Sequence, residues 1–226
     1  MSRKNSMGRF DIILTFLFIF SFATGQEKME KSDEIVEDTI KNLFKDKYDN
    51  PVVNLINLPY CFQNLKYLRV YDYSQLVEDP LIPTKWVVTP SMKKFRIPLS
   101  GEDIKMILSE IAFLPSSSEE ALTATKVIAE WLYEYGSLID DINSNSFQKI
   151  IKSSQLNFAQ VKNPEVIKID SGYIINCYIY QPKVNILGFD IIPFEVLVKL
   201  CCEFSKNAYK LEQIEIDATY LKKTVE

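Results

Sequence analysis

The chain has 226 residues, 47% of them hydrophobic and 25% charged, with a net charge of -4 and no histidine. This composition is typical of a globular protein, and the absence of histidine excludes Ser-His-Asp and Cys-His catalysis and zinc sites built on imidazole. None of the six glycines has the spacing of a G-x-G-x-x-G or Walker loop, which excludes the familiar nucleotide-binding loops.

The first 25 residues have the pattern of a cleavable secretory signal peptide. Basic residues precede an apolar run that begins at Ile12, and the small residues Ala23 and Gly25 occupy the -3 and -1 positions. Ile12 to Ala23 would form about 18 Å of helix, which is shorter than a hydrocarbon core of roughly 30 Å, so a retained signal anchor is disfavoured. We expect residues 1–25 to be removed, leaving residues 26–226 as a single secreted or periplasmic α+β domain.

The predicted mature chain is acidic. It carries 23 basic and 29 acidic residues, for a net charge of -6, and lysine outnumbers arginine 22 to 4 in the full sequence. Nucleic acids and anionic membranes bind clusters of basic residues, so neither is an expected partner. Contact with the membrane is expected only through the uncleaved signal.

The first half of the mature chain predicts one helix and two strands. A helical pattern begins at Ser32 and ends at Asn50-Pro51. Five prolines interrupt the next segment, residues 52–98, where residues 65–73 and 85–89 are predicted to form short strands.

The middle of the chain predicts a pair of antiparallel helices and a short third helix. Ser100 with Asp103 makes a capping signature for the first helix, which Pro115 ends. The segment 116–120 caps the second helix, and Gly136 is expected at its C′ position. Phe147 lies at the start of the third.

The last third predicts an antiparallel sheet with a helix packed on it. Residues 166–170 and 173–180 form a hairpin around a Ser171-Gly172 turn, and residues 184–192 are apolar. From Pro193, apolar residues recur at helical spacing, and a final strand runs from Ile214 to Tyr220. The predicted fold class is therefore α+β, a central helical pair followed by a hairpin, a helix and a strand.

Four cysteines in an exported chain raise the question of disulfides. They are Cys61, Cys177, Cys201 and Cys202. No two of them form a Cys-x-x-Cys pair, and their spacing does not match that of metal ligands. If the predicted last helix covers the hairpin, Cys177 and Cys201 are the pair to bridge. A bridge that involves Cys202 is also open, and the remaining interpretation is that the cysteines are mainly small buried hydrophobic residues.

Other motifs have simpler structural explanations. Asp141, Asn143 and Asn145 match the first ligands of a calcium loop, but the loop lacks the later glycine and glutamate, so an interhelical cap explains them better. S-x-x-K occurs at Ser91 and Ser146 without the companion elements of a serine acyltransferase. Adjacent acidic pairs fall where caps and loops favour carboxylates. We therefore predict no catalytic residue, metal or cofactor.

Tyrosines are the best indication of a binding role. They cluster in the first strand region and in the hairpin, and tyrosine is enriched at interfaces, although packing within sheets explains most of them. The candidate surface residues are Tyr67, Tyr71, Tyr73, Tyr178 and Tyr180. The sequence thus favours a non-enzymatic exported protein that binds an unknown protein, glycan or apolar ligand. The alternatives are a small hydrolase that uses paired carboxylates, with a carbohydrate as a candidate substrate, and a carrier for an apolar molecule.

Overall fold

The computed structural model describes residues 40–48, 51–72, 83–186, 188–206 and 208–218. The chain divides into two compact units, one formed by Met1–Val53 with Asp72–Gln75 and the other by Asn54–Tyr71 with Leu76–Glu226. In the first unit, residues 40–42 are helical and Phe44 is buried. The predicted signal peptide and residues 32–39 of the helix predicted from Ser32 lie outside the described residues, and residues 43–47 of that predicted helix form turns instead.

The N-terminal sheet has four strands in the order β1-β2-β3-β4. They are β1 (Pro51–Ile56), β2 (Lys66–Asp72), β3 (Thr84–Val88) and β4 (Lys94–Arg96), with a 3-10 turn at Tyr60–Phe62. β3 pairs antiparallel with both β2 and β4. Two of these strands confirm the predictions for residues 65–73 and 85–89.

Three helices follow, each begun by a serine cap. They are α1 (Gly101–Glu110), α2 (Ser118–Leu132) and α3 (Asn145–Ser153). The Ser100 and Asp103 side chains form the predicted reciprocal capping box. Ser117 and Ser144 each accept a hydrogen bond from a backbone N–H in the first turn of the helix that follows. Such caps satisfy backbone donors that a helix leaves free at its start, which is why all three helices begin close to the predicted positions.

α2 ends earlier than Gly136 predicts. Its last helical residue is Leu132, and Tyr133 N–H donates to the Ala129 carbonyl as the C-cap residue. Leu99 N–H donates to the Trp131 carbonyl at 2.7 Å, and Gly136 N–H donates to the Tyr133 carbonyl at 2.7 Å. A Cβ at position 136 would lie 2.5 Å from Tyr133 Cβ, so the glycine serves close packing rather than the C′ position.

The C-terminal sheet is antiparallel and is built around one long central strand. Its strands are β5 (Ser137–Leu138), β6 (Glu165–Ile169), β7 (Gly172–Gln181), β10 (Val196–Ser205) and β11 (Tyr209–Ala218), in the order β11-β10-β7-β5 with β6 also paired to β7. β8 (Val184–Ile186) and β9 (Phe189–Ile192) form a separate hairpin. The mixed α+β class is confirmed.

The helix predicted from Pro193 is wrong, because residues 196–205 form strand β10. Within this segment, Val196, Val198 and Leu200 are buried at alternate positions, a period of two that coexists with the helical spacing. β10 pairs with β7 on one side and β11 on the other. Two neighbouring strands therefore override the local helical pattern.

The predicted β6–β7 hairpin is confirmed, with its turn one residue earlier. Ile169 pairs with Gly172, so Asp170 and Ser171 form the two-residue turn. Gly172 has φ +157 and is the first residue of β7. A Cβ at this position would lie 1.9 Å from the carbonyl oxygen of Phe204 on β10. The close approach of these two strands requires glycine here.

The second unit has one main hydrophobic core, which joins β2, β3, α1 and α2 to one face of β7 and β10. Phe62, Phe113 and Trp131 pack together at its centre, with ring centroids 5.0 and 5.2 Å from Phe62. A smaller core, on the other face of the C-terminal sheet, includes Phe147 of α3 and Leu197 of β10. None of the described helices combines the length and apolar character needed to cross a bilayer.

Candidate binding surface

Alternation along β7 and β10 gives the C-terminal sheet two different faces. The face that joins the main core includes Ile175, Cys177 and Ile179 of β7. The opposite face, which we call the outer face, carries the residues between these positions and their cross-strand partners. Its residues are Glu165, Ile167, Ile174, Asn176, Tyr178, Lys199, Cys201, Glu203, Lys210, Glu212 and Ile214.

The outer face exposes large apolar side chains on a flat support. Ile214 on β11 is 59% exposed and Ile167 on β6 is 39% exposed. Across the sheet, Ile214 is in one row with Lys199 and Tyr178, and Ile167 is in another row with Ile174 and Glu203. Scattered exposed apolar residues are ordinary, but several on one rigid sheet face form a surface that a partner can bury.

Charged residues on β10 and β11 surround the half-buried Cys201 on this face. Lys210 and Glu212 form an ion pair with a nitrogen–oxygen distance of 2.7 Å. Burial and then the Glu212 carboxylate raise the pKa of the Cys201 thiol, with smaller effects of nearby charges. The thiol is therefore protonated at neutral pH and is not an activated nucleophile.

Segments that follow β5 cover one end of this side of the sheet and fix Tyr180 there. The Tyr180 hydroxyl donates to Glu195 Oε1 at 2.7 Å, and Ser154 Oγ donates to Glu195 Oε2 at 2.9 Å. Gln155 N–H adds a third bond to this carboxylate at 3.1 Å. Burial and the bond to Glu195 raise the pKa of Tyr180. Tyr180 is thus a structural anchor.

The predicted tyrosines do not form one surface. Tyr67 and Tyr71 lie on β2 in the N-terminal sheet, whereas Tyr178 and Tyr180 lie on β7. Tyr67 is 5% exposed, and burial followed by nearby glutamates raises its pKa to about 12. Tyr73 lies outside the described residues. Among the candidates, Tyr178 is the half-buried tyrosine of the outer face, where it packs against the smaller core and pairs with Lys199 of β10.

The structure does not bring Cys177 and Cys201 together, and all four cysteines are free thiols. Cys177 is opposite Leu200 in the main core, and Cys201 is opposite Asn176 on the outer face. Burial raises the pKa of Cys177 to about 12. The bridge was inferred from a helix that is in fact β10, where successive side chains point to opposite faces.

A polar cluster at the end of α2 was not found from the sequence. Lys85 Nζ donates to the Glu134 carbonyl at 2.9 Å and lies 4.9 Å from the centre of the Tyr135 ring. Burial raises the pKa of both Glu130 and Glu134, while Lys85 opposes that shift. The contacts of Lys85 stabilise the chain at the C-terminal end of α2. The spacing of four between the two glutamates is the sequence signal that was available.

The calcium-like and acidic motifs have local roles. Asn143 N–H donates to Asp141 Oδ1 at 2.9 Å in a turn that leads into the Ser144 cap of α3. Asp140 forms an ion pair with Lys126 at 2.9 Å. Within the ranges that the structure describes, no group of three His, Cys, Asp or Glu residues could hold a metal ion.

One open cavity of about 570 Å³ lies between α1 and the turn that joins β3 to β4. Six residues line it: Ser91, Lys93, Lys105, Met106, Ser109 and Glu110. The lining contains one carboxylate and no aromatic residue. It therefore has neither the paired acids of the predicted hydrolase nor the closed aromatic walls of the predicted carrier.

No protein-family model matches this chain, and no curated protein or solved structure shows significant similarity to it.

Proposed function

We propose that this chain is an exported, non-enzymatic binding protein that uses the outer face of its C-terminal sheet. The observation that carries the proposal is the exposure of Ile214 and Ile167 on the same face of one antiparallel sheet. Export rests on the signal-peptide pattern of residues 1–25.

The physical basis of binding would be apolar burial on a rigid support. Backbone hydrogen bonds fix β7 and β10 on both sides, so little order has to be gained when a partner docks. Ile214 and Ile167 supply the apolar contact, and the Lys210–Glu212 pair supplies a polar rim. The partner that fits is a protein with a flat apolar patch.

Site-specific photocrosslinking tests the surface directly. A photoreactive phenylalanine is placed at position 214 in the full chain, expressed in the producing cells. The matched control is the same residue at Leu55, which is 53% exposed but lies on β1 of the N-terminal sheet. We expect a discrete adduct from position 214 and none from position 55.

A second part of the experiment places a charge on the outer face. Ile167→Lys should remove the adduct formed from position 214, because a partner that covers both isoleucines would have to desolvate the lysine. Ile151→Lys, on the exposed side of α3, should leave the adduct unchanged. Equal adducts from positions 214 and 55, or no adduct from 214, would refute the proposed surface.

A further inference from the structure

The cavity between α1 and the β3–β4 turn lies outside the outer face and has a chemistry of its own. Its volume of about 570 Å³ is within the range of pockets that hold small molecules, roughly 300–1,000 Å³. One wall is the turn with Ser91 and Lys93, and the other is α1 with Lys105, Met106 and Ser109. Polar groups from two separate elements therefore converge on one space.

Hydrogen bonds hold the turn in place against α1. Ser91 N–H donates to Glu110 Oε1 at 2.8 Å, and Thr89 N–H donates to the Lys93 carbonyl at 3.1 Å. Met92, between Ser91 and Lys93, has φ 65, a backbone conformation that is uncommon for residues other than glycine. The surrounding bonds maintain this conformation, so the cavity is preformed.

The carboxylate in the lining already has partners, and the ammonium groups retain donors. Glu110 accepts from Ser91 and lies 3.9 Å from Lys93 Nζ, and the bond from Ser91 N–H is the main reason its pKa is lowered. Lys105 Nζ contacts Glu102 at 2.6 Å. Each lysine has three donor hydrogens, so both can bind a further acceptor. Together with Glu102, the two lysines and two glutamates carry no net charge, so the site offers ammonium donors rather than a positive field.

We propose that this cavity binds a polyhydroxylated carboxylate, such as an acidic sugar. The carboxylate would lie between Lys93 and Lys105, and the hydroxyl groups would meet Ser91 and Ser109. Met106 is 52% exposed and offers an apolar floor for the C–H face of the sugar ring.

A monoanion fits this cavity better than a phosphate. The lining has no arginine, the residue that recognises phosphate through two parallel hydrogen bonds. The two serine hydroxyls match the hydroxyl groups of a sugar rather than a second anionic charge.

The test is an NMR titration of the purified protein, expressed from its full coding sequence, with D-glucuronate as the probe. We expect saturable shifts of the amide signals of Ser91, Lys93, Lys105, Met106 and Ser109, with a Kd of about 1 mM. D-glucose and inorganic phosphate should bind more weakly. Shifts that do not saturate, or equally tight binding of glucose or phosphate, would overturn the proposal.

Variants distinguish binding in the cavity from non-specific attraction of anions to the protein surface. Lys93→Gln and Lys105→Gln should each weaken glucuronate binding by at least about fivefold, because each removes a charge-assisted hydrogen bond. The matched control, Lys199→Gln, changes an exposed lysine of the outer face and should leave binding unchanged. Unaltered affinity in both cavity variants would also refute the site. The amide spectrum shows whether each variant remains folded.

Discussion

Gly172→Ala should be among the most destabilising small substitutions in this protein. The added Cβ would lie 1.9 Å from the Phe204 carbonyl oxygen, whereas real Cβ contacts are essentially never below 3.0 Å. The end of β7 and the end of β10 must therefore separate by about 1 Å. Phe204 is 1% exposed and packs edge-on against Phe113, so a shift of its backbone disturbs the main core.

The magnitude follows from what the separation breaks. Two hydrogen bonds at the end of the ladder contribute about 0.5–1.5 kcal/mol each, and the residual backbone strain costs about 1–3 kcal/mol. The free energy of unfolding should therefore fall by about 2–6 kcal/mol, a large part of the total of about 5–15 kcal/mol for a domain. Urea unfolding followed by the fluorescence of the buried Trp86 and Trp131 measures this loss.

Substitutions at two other glycines distinguish the energetic cost of the close contact from the cost of the backbone angle. Gly188 has φ +89, but a methyl group added there would have no atom within 4 Å, so Gly188→Ala should cost only the strain of that angle, about 1–2 kcal/mol. Gly101, at the start of α1, has open space and an ordinary φ, so Gly101→Ala should be neutral or stabilising by up to about 1 kcal/mol. If Gly172→Ala costs no more than Gly188→Ala, the predicted contact with β10 is absent.

Three further predictions concern ionisable groups. Because burial raises the folded-state pKa of Glu130 and Glu134 above 4.5, their contribution to stability is fully present below pH 4.5 and is lost as the pH rises through the raised values. Replacing both with glutamine should flatten that part of the urea-midpoint profile, and an unchanged profile would contradict the shifts. Tyr67 should titrate near pH 12 by ultraviolet absorbance, and Tyr67→Phe should remove that late transition. Tyr180→Phe should lower the free energy of unfolding by about 1.5–3 kcal/mol, since it removes a hydrogen bond to the Glu195 carboxylate. A loss below about 0.5 kcal/mol would show that Glu195 is equally well satisfied without it.

Local signals were sufficient for the elements whose ends are determined by their own residues. Ser100 and Asp103 begin α1 because the cap and the helix need nothing beyond the first turn. The β6–β7 hairpin is similar, since its two strands are joined by two residues and pair with each other directly. In both cases the energetic preference is contained in a short segment.

The β10 segment shows where local signals fail. Its apolar residues fit both a period of 3.6 and a period of two, so neither interpretation was decisive from the segment alone. The deciding contribution comes from β7 and β11, which satisfy its backbone groups on both sides. The error carried over to the cysteines, because a strand places Cys201 and Cys202 on opposite faces whereas the predicted helix placed Cys201 over the hairpin.

The outer face could not be predicted for a related reason. In β7, the buried Ile175 and Cys177 alternate with Ile174 and Asn176, which are half-buried, so both sets include an apolar residue. What distinguishes them is coverage: α1 and α2 share the core on one side, while on the other side the cluster around α3 extends as far as Tyr178 and Ile216. Exposure of Ile214 and Ile167 thus follows from how far the covering segment extends along the sheet. The candidate binding surface is a property of that long-range packing, and a strand pattern alone cannot specify it.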